Sequence, residues 1–446
     1  MKQTDVLILG GLSGISAGMS SKKFYPDKKV TLVRKEGTVL IPCGIPYIYG
    51  TVGGPENNVI PDGLLEKNDI ELIKGEATAV NRVDKIVTMA DGETIKYEKL
   101  IFATGSRPMV PPIPGVDKKN VYTVKKEFNY LCEINEAMKS VKDLVIIGGG
   151  FIGVEFADEC RKGRDINITL VEALPHCLQA AMDDEFCVEA ESKLSETGVK
   201  ILVNSQVKAI LGDDKVSGVR LVGGTEIKAD MVILAIGALP NTQLAKEAGL
   251  QLGYKDAIKT NRYMQTYTDP DIFACGDCAE KHSFFSGTSM PAMLASIATS
   301  EARIAGSNLY SPIHQNFGTI SVFSTMINGR AFAVAGLTER VARSRNMNIV
   351  IGTAEAPDTH PGGMPNSSMT KVKLVFAKGT GILLGGSISG GRPVGEMVNV
   401  ISACIMHQMT AYDIFQFQMG THPALTSSPI MYPIVNAAQT VIAPVL

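Results

Sequence analysis

The sequence has no tryptophan, no C-x4-C pair, no polybasic block and no apolar run long enough to cross a membrane. The missing tryptophan excludes little, but the other absences narrow the field. A spanning helix needs about 20 apolar residues, so a membrane is not an expected partner. Lys and Arg number 43 against 45 Asp and Glu, for a net charge of −2. Without a basic surface, nucleic acid and anionic membranes are not expected partners either. Eight cysteines in 446 residues are too sparse for a disulfide framework. The N-terminus, Met1-Lys2-Gln3-Thr4-Asp5, enters a strand-like run at once, so no signal peptide is expected. A reducing cytoplasm is the expected setting.

What is present is a repeated grammar. Val6-Leu7-Ile8-Leu9 is an apolar run of the buried parallel-strand type, followed by Gly10-Gly11-Leu12-Ser13-Gly14, a helical stretch over 15–23 and a second strand at 30–33. The same order returns at 144–147, with Gly148-Gly149-Gly150-Phe151-Ile152-Gly153, a helix and a strand ending on Glu172. The chain thus carries two βαβ dinucleotide units. Two further strands end on glycine, at 100–105 and 231–237, where backbone passes close to a ligand. Pro108, Pro111, Pro112 and Pro114 form a stiff linker after the first of these.

The expected class is α/β: two Rossmann-like dinucleotide-binding domains, the second inserted in the first, and a C-terminal α+β domain. The expected boundaries are 1–119 and 255–314 for the first domain, 120–254 for the insert and 315–446 for the last. Strand-like segments at 320–323, 331–334 and 371–376 precede a helical stretch at 393–407.

Gly148, Gly150 and Gly153 match G-x-G-x-x-G, whose glycines let a pyrophosphate approach a helix N-terminus. Glu172 stands where it would accept bonds from the adenosine ribose. Ala173 and Leu174 follow it, with no Arg to balance a 2′-phosphate, so NADH is favoured over NADPH. The first fingerprint is imperfect: counted back from Gly14, Leu9 falls where the first glycine belongs, and Arg34 replaces the usual acid. Gly276-Asp277 supports it, since an Asp there can bond the ribityl chain of a flavin. Arg34 is an expected contact to the adenosine.

Cys43 lies in Ile41-Pro42-Cys43-Gly44-Ile45-Pro46-Tyr47, just after the first βαβ unit, and Ile48 occupies the place of a second redox cysteine. A helix N-terminus expected near residues 44–46 would favour the thiolate. A thiol at this point suggests hydride transfer to a flavin and then to sulfur. Cys132, Cys160, Cys177, Cys187 and Cys404 read as small buried hydrophobes. Cys275-Gly276-Asp277-Cys278 is formally C-x-x-C, but its Gly-Asp centre is better explained by flavin binding, and no second C-x-x-C completes a metal site. His422, in Gly420-Thr421-His422-Pro423, could relay a proton to or from Cys43, and His360 has a similar claim.

Together these residues resemble the FAD-dependent pyridine nucleotide-disulfide oxidoreductases along nearly the whole chain. The order of motifs carries the likeness: Gly-rich turn, Cys43, Ala103-Thr104-Gly105-Ser106, second Gly-rich turn with Glu155, Gly237 with Pro240-Asn241, then Gly276-Asp277. Pro42-Cys43-Gly44-Ile45-Pro46-Tyr47 looks like the single-cysteine branch, which includes coenzyme A-disulfide reductases, persulfide and polysulfide reductases, and NADH oxidases and peroxidases. The resemblance implies FAD in the first domain, NAD(P)H in the second, and a homodimer whose active sites are shared between subunits. Gly10, Gly11, Ser13, Gly14, Arg34, Lys35, Val80, Ala103, Thr104, Gly105, Gly237 and Asp277 are expected cofactor contacts, beside Gly148, Gly150, Gly153, Glu155 and Glu172. Glu155 matches the family acid near the nicotinamide, and Phe151 a bulky side chain that gates the flavin. His422-Pro423 resembles the His-Pro of two-cysteine members, whose His reaches across the dimer. His360 stands where coenzyme A-disulfide reductases tend to place a Tyr.

The expected catalytic pair is therefore Cys43 and His422. The expected acceptor is a small disulfide, persulfide or polysulfide, coenzyme A-linked ones included. The alternative is an NADH oxidase or peroxidase in which Cys43 cycles through a sulfenic acid. A third reading is an NADH-sensing binding protein or electron-transfer subunit with a vestigial thiol.

Overall fold

Val6-Leu7-Ile8-Leu9 has no polar residue to face water, and β1 (Val6–Gly10) is buried along its apolar length. It feeds α1 (Leu12–Phe24) and then β2 (Val30–Arg34), which pairs parallel to β1 with Ile8 opposite Leu32. β3 (Ile70–Lys74) lies beyond β2, and β4 (Lys99–Ala103) lies on the other side of β1. The second copy follows: β5 (Val121–Thr123), β6 (Asp143–Ile147), α2 (Phe151–Arg161), β7 (Asn167–Val171), α3 (Asp184–Ser195), β8 (Lys200–Leu202) and β9 (Met231–Leu234). Its sheet runs β5-β9-β6-β7-β8. β10 (Ile272–Ala274) then returns to the first sheet and completes the order β10-β4-β1-β2-β3, with α4 (Ala295–Ser307) after it.

The last region is an antiparallel sheet. β11 (Val322–Ile327), β12 (Arg330–Gly336), β13 (Ile349–Pro357), β14 (Met369–Ala377) and β15 (Leu383–Gly390) run in the order β11-β12-β15-β14-β13. α5 (Val394–Met406) packs on β12 and β15, and α6 (Pro433–Ile442) on β13 and β14. The fold is thus two Rossmann-like domains and a C-terminal α+β domain, the class expected from the sequence.

This is a computed structural model, and it describes residues 1–442. The chain divides into two compact units. One holds Met1–Val110, Thr123–Lys139 and Gly237–Thr319; the other holds Pro111–Tyr122, Ser140–Ile236 and the chain from Ile320 onward. Among the described residues no helix is long and apolar enough to cross a membrane.

Two local expectations are corrected. The strand expected at 320–323 is β11, two residues later. No α-helix begins near Gly44: the chain there makes two 3-10 turns, Pro42–Gly44 and Pro46–Tyr49, each with a proline in its first turn. Turns of three and four residues align too few peptides to carry a helix dipole, so that support for a Cys43 thiolate is withdrawn.

Candidate active site

The first unit's cradle starts at Gly10. Its φ is +139°, and a Cβ there would lie 1.9 Å from the Ala103 carbonyl oxygen, so only glycine fits. In the other unit Gly148 has φ +107°, and its Cβ would lie 2.5 Å from the Ala235 carbonyl oxygen. Gly10 pairs with Ala103 as β1 meets β4. By register, then, Gly10 takes the place of Gly148. Gly11 and Gly150 are the residues before α1 and α2, neither with a side-chain cap. Leu9 pairs with Val33 as Ile147 pairs with Val171, so the expectation that Leu9 replaces the first glycine is corrected. Leu9 is a strand residue, 2% exposed.

α1 begins without an acid in its first turn, so its N–H groups face no local competitor for an anion. Gly14 lets α1 lie against Leu32, which a Cβ would meet at 2.8 Å. Ser13 touches the Gly276 turn, where a Cβ on Gly276 would lie 2.7 Å from its Oγ. Thr104 and Gly105 are tied to Asn241: Thr104 Oγ1 donates to the Asn241 carbonyl at 2.6 Å, and Asn241 N donates to that of Gly105 at 2.9 Å. Gly105 and Gly237 both have positive φ and open space where a side chain would stand.

Asp277 sits in this unit with its carboxylate mostly buried. Burial alone would raise its pKa, but the Lys126 ammonium at 3.1 Å and the Ser106 hydroxyl at 2.7 Å outweigh it and hold the carboxyl below the usual range. Arg34 closes β2. Its Nε donates to the Glu36 carbonyl at 2.9 Å, and its Nη2 to the Gly37 carbonyl at 3.2 Å and to Asp62 at 2.5 Å. Its Nη1 is buried with no hydrogen-bond partner. Lys35 is exposed and pairs with Glu76 at 3.0 Å. Val80 lies in a separate sheet, paired antiparallel with Val87 opposite it.

Cys43 is the exposed cysteine of the eight. Its turn is closed by a two-residue strand pair, Val39–Leu40 with Val59–Ile60. Asn58, 3% exposed, donates Nδ2 to the Ile41 carbonyl at 2.9 Å, and Ile41 N donates to the Asn58 carbonyl at 3.0 Å. Cys275 and Cys278 are fully buried, with the Cys278 thiol 3.3–3.4 Å from two carbonyl oxygens. Burial pushes both thiols up, away from reactivity.

In the second unit Gly153 packs so closely that a Cβ would lie 1.8 Å from the Gly148 carbonyl oxygen. Glu172 braces the turn, with Oε2 accepting from Gly149 N at 2.6 Å and Oε1 from Leu174 N at 2.7 Å. Glu155 lies one helical turn after Phe151 on α2. Removal from water pushes its carboxyl up to about 7, against the pull of a 2.8 Å bond from Thr325 Oγ1.

His360 and the His422 turn come together in this unit. His360 N donates to the Pro423 carbonyl at 2.9 Å, and its Nδ1 lies 3.0 Å from the Thr426 carbonyl, which fixes the proton on Nδ1. The exposed His422 instead accepts from Ala424 N at Nδ1, 3.2 Å away, leaving the neutral ring's proton on Nε2.

Residues 4–302 match the family described as pyridine nucleotide-disulphide oxidoreductase. The chain belongs to that family. Residues 322–430 match the dimerisation domain of these pyridine nucleotide-disulphide oxidoreductases. The chain is 30% identical to an NADH oxidase of Enterococcus faecalis over 418 residues, 90% of this chain and 91% of that one. It is also 30% identical to the NAD(P)H coenzyme A polysulfide/persulfide reductase of Pyrococcus horikoshii over 446 residues, 98% of each. The structure of a NAD-dependent persulfide reductase from A. fulgidus matches with a TM-score of 0.88 at 27% identity, covering 98% of this chain and 83% of that one.

The protein is a FAD-dependent NAD(P)H oxidoreductase of this family, with FAD- and NAD(H)-binding Rossmann folds. The first cradle fits a flavin dinucleotide on three counts: an uncapped helix start, glycines that leave room for the ligand, and the unsatisfied Arg34 Nη1. Sequence reasoning missed Lys126, Asn58 and Thr325. Lys126 meets Asp277 across 151 residues of chain and Thr325 meets Glu155 across 170, so no local pattern marks them.

Proposed function

We propose that this oxidoreductase uses NADH to reduce a small disulfide, persulfide or polysulfide through Cys43. The observation that carries the proposal is Cys43 itself, an exposed thiol on a turn braced by Asn58, with no second cysteine on its loop. The name of the Pyrococcus relative supports a sulfur acceptor and includes coenzyme A-linked ones among the candidates. Bound FAD supplies two-electron transfer from the reduced nicotinamide to sulfur. Cys43 attacks one sulfur of the acceptor, the acceptor's S–S bond breaks, and Cys43 keeps half of it as a mixed disulfide or persulfide. Two electrons originating in NADH then reopen that bond.

His422 of a second copy of the chain is the proposed acid for the departing thiolate, and its exposed Nε2 proton suits that role. Gly148, Gly150 and Gly153 would hold the nucleotide pyrophosphate, and Glu155 would orient the nicotinamide. The Glu172 carboxylate favours NADH, since it would repel a 2′-phosphate and neither Ala173 nor Leu174 offers a counter-charge. On the flavin side the proposed holders are Gly10, Gly11, Ser13, Gly14, Arg34 and Asp277.

A second reading has support in the name of the Enterococcus relative, an NADH oxidase. There Cys43 would cycle through a sulfenic acid, protected because no resolving thiol shares its loop. Anaerobic kcat/KM values for coenzyme A disulfide, a persulfide and hydrogen peroxide separate the two. A Cys43→Ser enzyme that kept full disulfide turnover would remove the sulfur scheme.

A further inference from the structure

β11 opens the C-terminal sheet and touches α2 of the nucleotide domain at two side chains. Strand residues two apart share a face, and helix residues four apart share a face. Phe323 and Thr325 are such a pair on β11; Phe151 and Glu155 are such a pair on α2. They match one to one. The Phe323 and Phe151 rings stack with centroids 5.1 Å apart and planes 7° from parallel. Thr325 Oγ1 donates to Glu155 Oε1 at 2.8 Å. The other carboxylate oxygen receives no hydrogen bond among the described residues, so it remains an acceptor for a ligand N–H.

We propose that Thr325 is a positioning residue for the nicotinamide: it fixes the Glu155 carboxylate so that the second oxygen is presented to the carboxamide N–H of the cofactor. The inference rests on the reading of Glu155 as the nicotinamide-side acid. It gives the C-terminal domain a part in nucleotide binding that the description "dimerisation domain" does not contain. The stacked phenylalanines hold the facing turn of α2 in register.

The charged surroundings agree with a single controlling bond. On α2, Glu159 disfavours ionisation of Glu155. Lys162 is engaged by Asp158 at 3.0 Å and Glu159 at 2.7 Å. The β11 residues facing Glu155 are uncharged. On α3, Glu189 is held by Arg330 at 2.7 Å, and Glu185 by Lys373 at 2.6 Å. Thr325 is therefore the group that favours the charged form of Glu155.

The test uses the flavin-loaded enzyme with Thr325→Val, Thr325→Ala, Thr325→Ser and Glu155→Gln. NAD⁺ affinity is measured by calorimetry, and anaerobic flavin reduction by NADH is followed across the neutral pH range. The valine and alanine variants should bind NAD⁺ about tenfold more weakly and move the reduction inflection up by about one pH unit. Serine should restore both values, and Glu155→Gln should abolish the inflection. Wild-type affinity and inflection in the valine and alanine variants, with Glu155→Gln impaired, would overturn the role of Thr325 alone. Wild-type behaviour of Glu155→Gln would overturn the underlying reading of Glu155, and the inference with it.

Discussion

Gly44 and Asn58 stand so close that a Cβ on Gly44 would lie 2.0 Å from the Asn58 Oδ1. The residue after Cys43 is thus shaped by a buried amide 14 positions on, and that amide also holds the turn by donating to the Ile41 carbonyl. Gly44→Ala should displace the amide and destabilise the protein by about 1–3 kcal/mol. It should also change the alkylation rate of Cys43. Asn58→Ala removes the obstacle but also the bond to Ile41. The double variant should therefore lose less than the sum of the singles. Additive melting shifts, with unchanged Cys43 alkylation, would show that the contact does not shape the thiol turn.

Glu155 gives a pH-dependent stability with a definite sign. Its carboxyl is raised by burial from 4.5 to about 7. The native state therefore keeps a proton that the unfolded chain releases between those values. Its contribution is fully present below the unfolded pKa and is lost as pH rises through the folded one. Glu155→Gln should remove roughly 1–3 kcal/mol of that decline, seen as a flatter melting temperature between pH 5 and pH 8. An unchanged slope in the glutamine variant would assign the decline to another group.

Lys373 is a buried cation, 2.6–3.1 Å from Glu185, Glu339 and Asp183; Asp183 is buried with it, Glu339 is half-buried and Glu185 lies at the surface. Asp183 in turn accepts from Glu339 N at 3.1 Å and Arg340 N at 3.0 Å. Removing the ammonium leaves the buried Asp183 beside Glu185 and Glu339 with no cation of its own among the described residues, while Glu339 keeps Arg343 at 2.6 Å. Lys373→Met should cost about 2–4 kcal/mol, well above a surface ion pair. The loss should shrink at acid pH, where the carboxylates take up protons. Chemical denaturation at two pH values measures both, and a pH-independent loss would point to packing alone.

Both Rossmann halves were legible because glycine spacing and unbroken apolar runs are local signals, and local signals survive in a linear string. Cys43 was legible for the same reason, through its place after β2. Its surroundings were not: Gly44-Ile45-Pro46 read as the start of an α-helix, yet the chain turns in 3-10 geometry twice and stops. β15 was hidden because Gly385 and Gly386 suggest a turn, whereas a Cβ at Gly385 would lie 2.0 Å from the Leu337 carbonyl oxygen. Gly385 admits a neighbouring backbone there, and Gly386 admits the Leu374 and Ile401 side chains. Leu9 was misjudged by counting residues, which cannot see that sheet register gives the first-glycine role to Gly10. Lys126 and Thr325 depend on contacts that exist only once the chain has folded.

Arg34 offers the sharpest check on the flavin cradle. Its guanidinium is fully buried, two of its three nitrogens are satisfied within the chain, and Nη1 is not. An unmet buried donor is costly, so a ligand acceptor at that nitrogen would be favoured. Arg34→Lys keeps a positive charge for Asp62 but loses the planar fork. Its apoprotein should lose about 1–3 kcal/mol with the bonds to the Glu36 and Gly37 carbonyls, while Lys74 still neutralises Asp62 at 3.0 Å. Its FAD affinity should fall about tenfold or more, matching the loss of a bond from a charged donor. Fluorescence titration of apoprotein with FAD measures the affinity without any turnover. Wild-type affinity in the lysine variant would mean that Nη1 is not used by the cofactor and that Arg34 serves to hold Asp62 and the turn at Glu36 and Gly37.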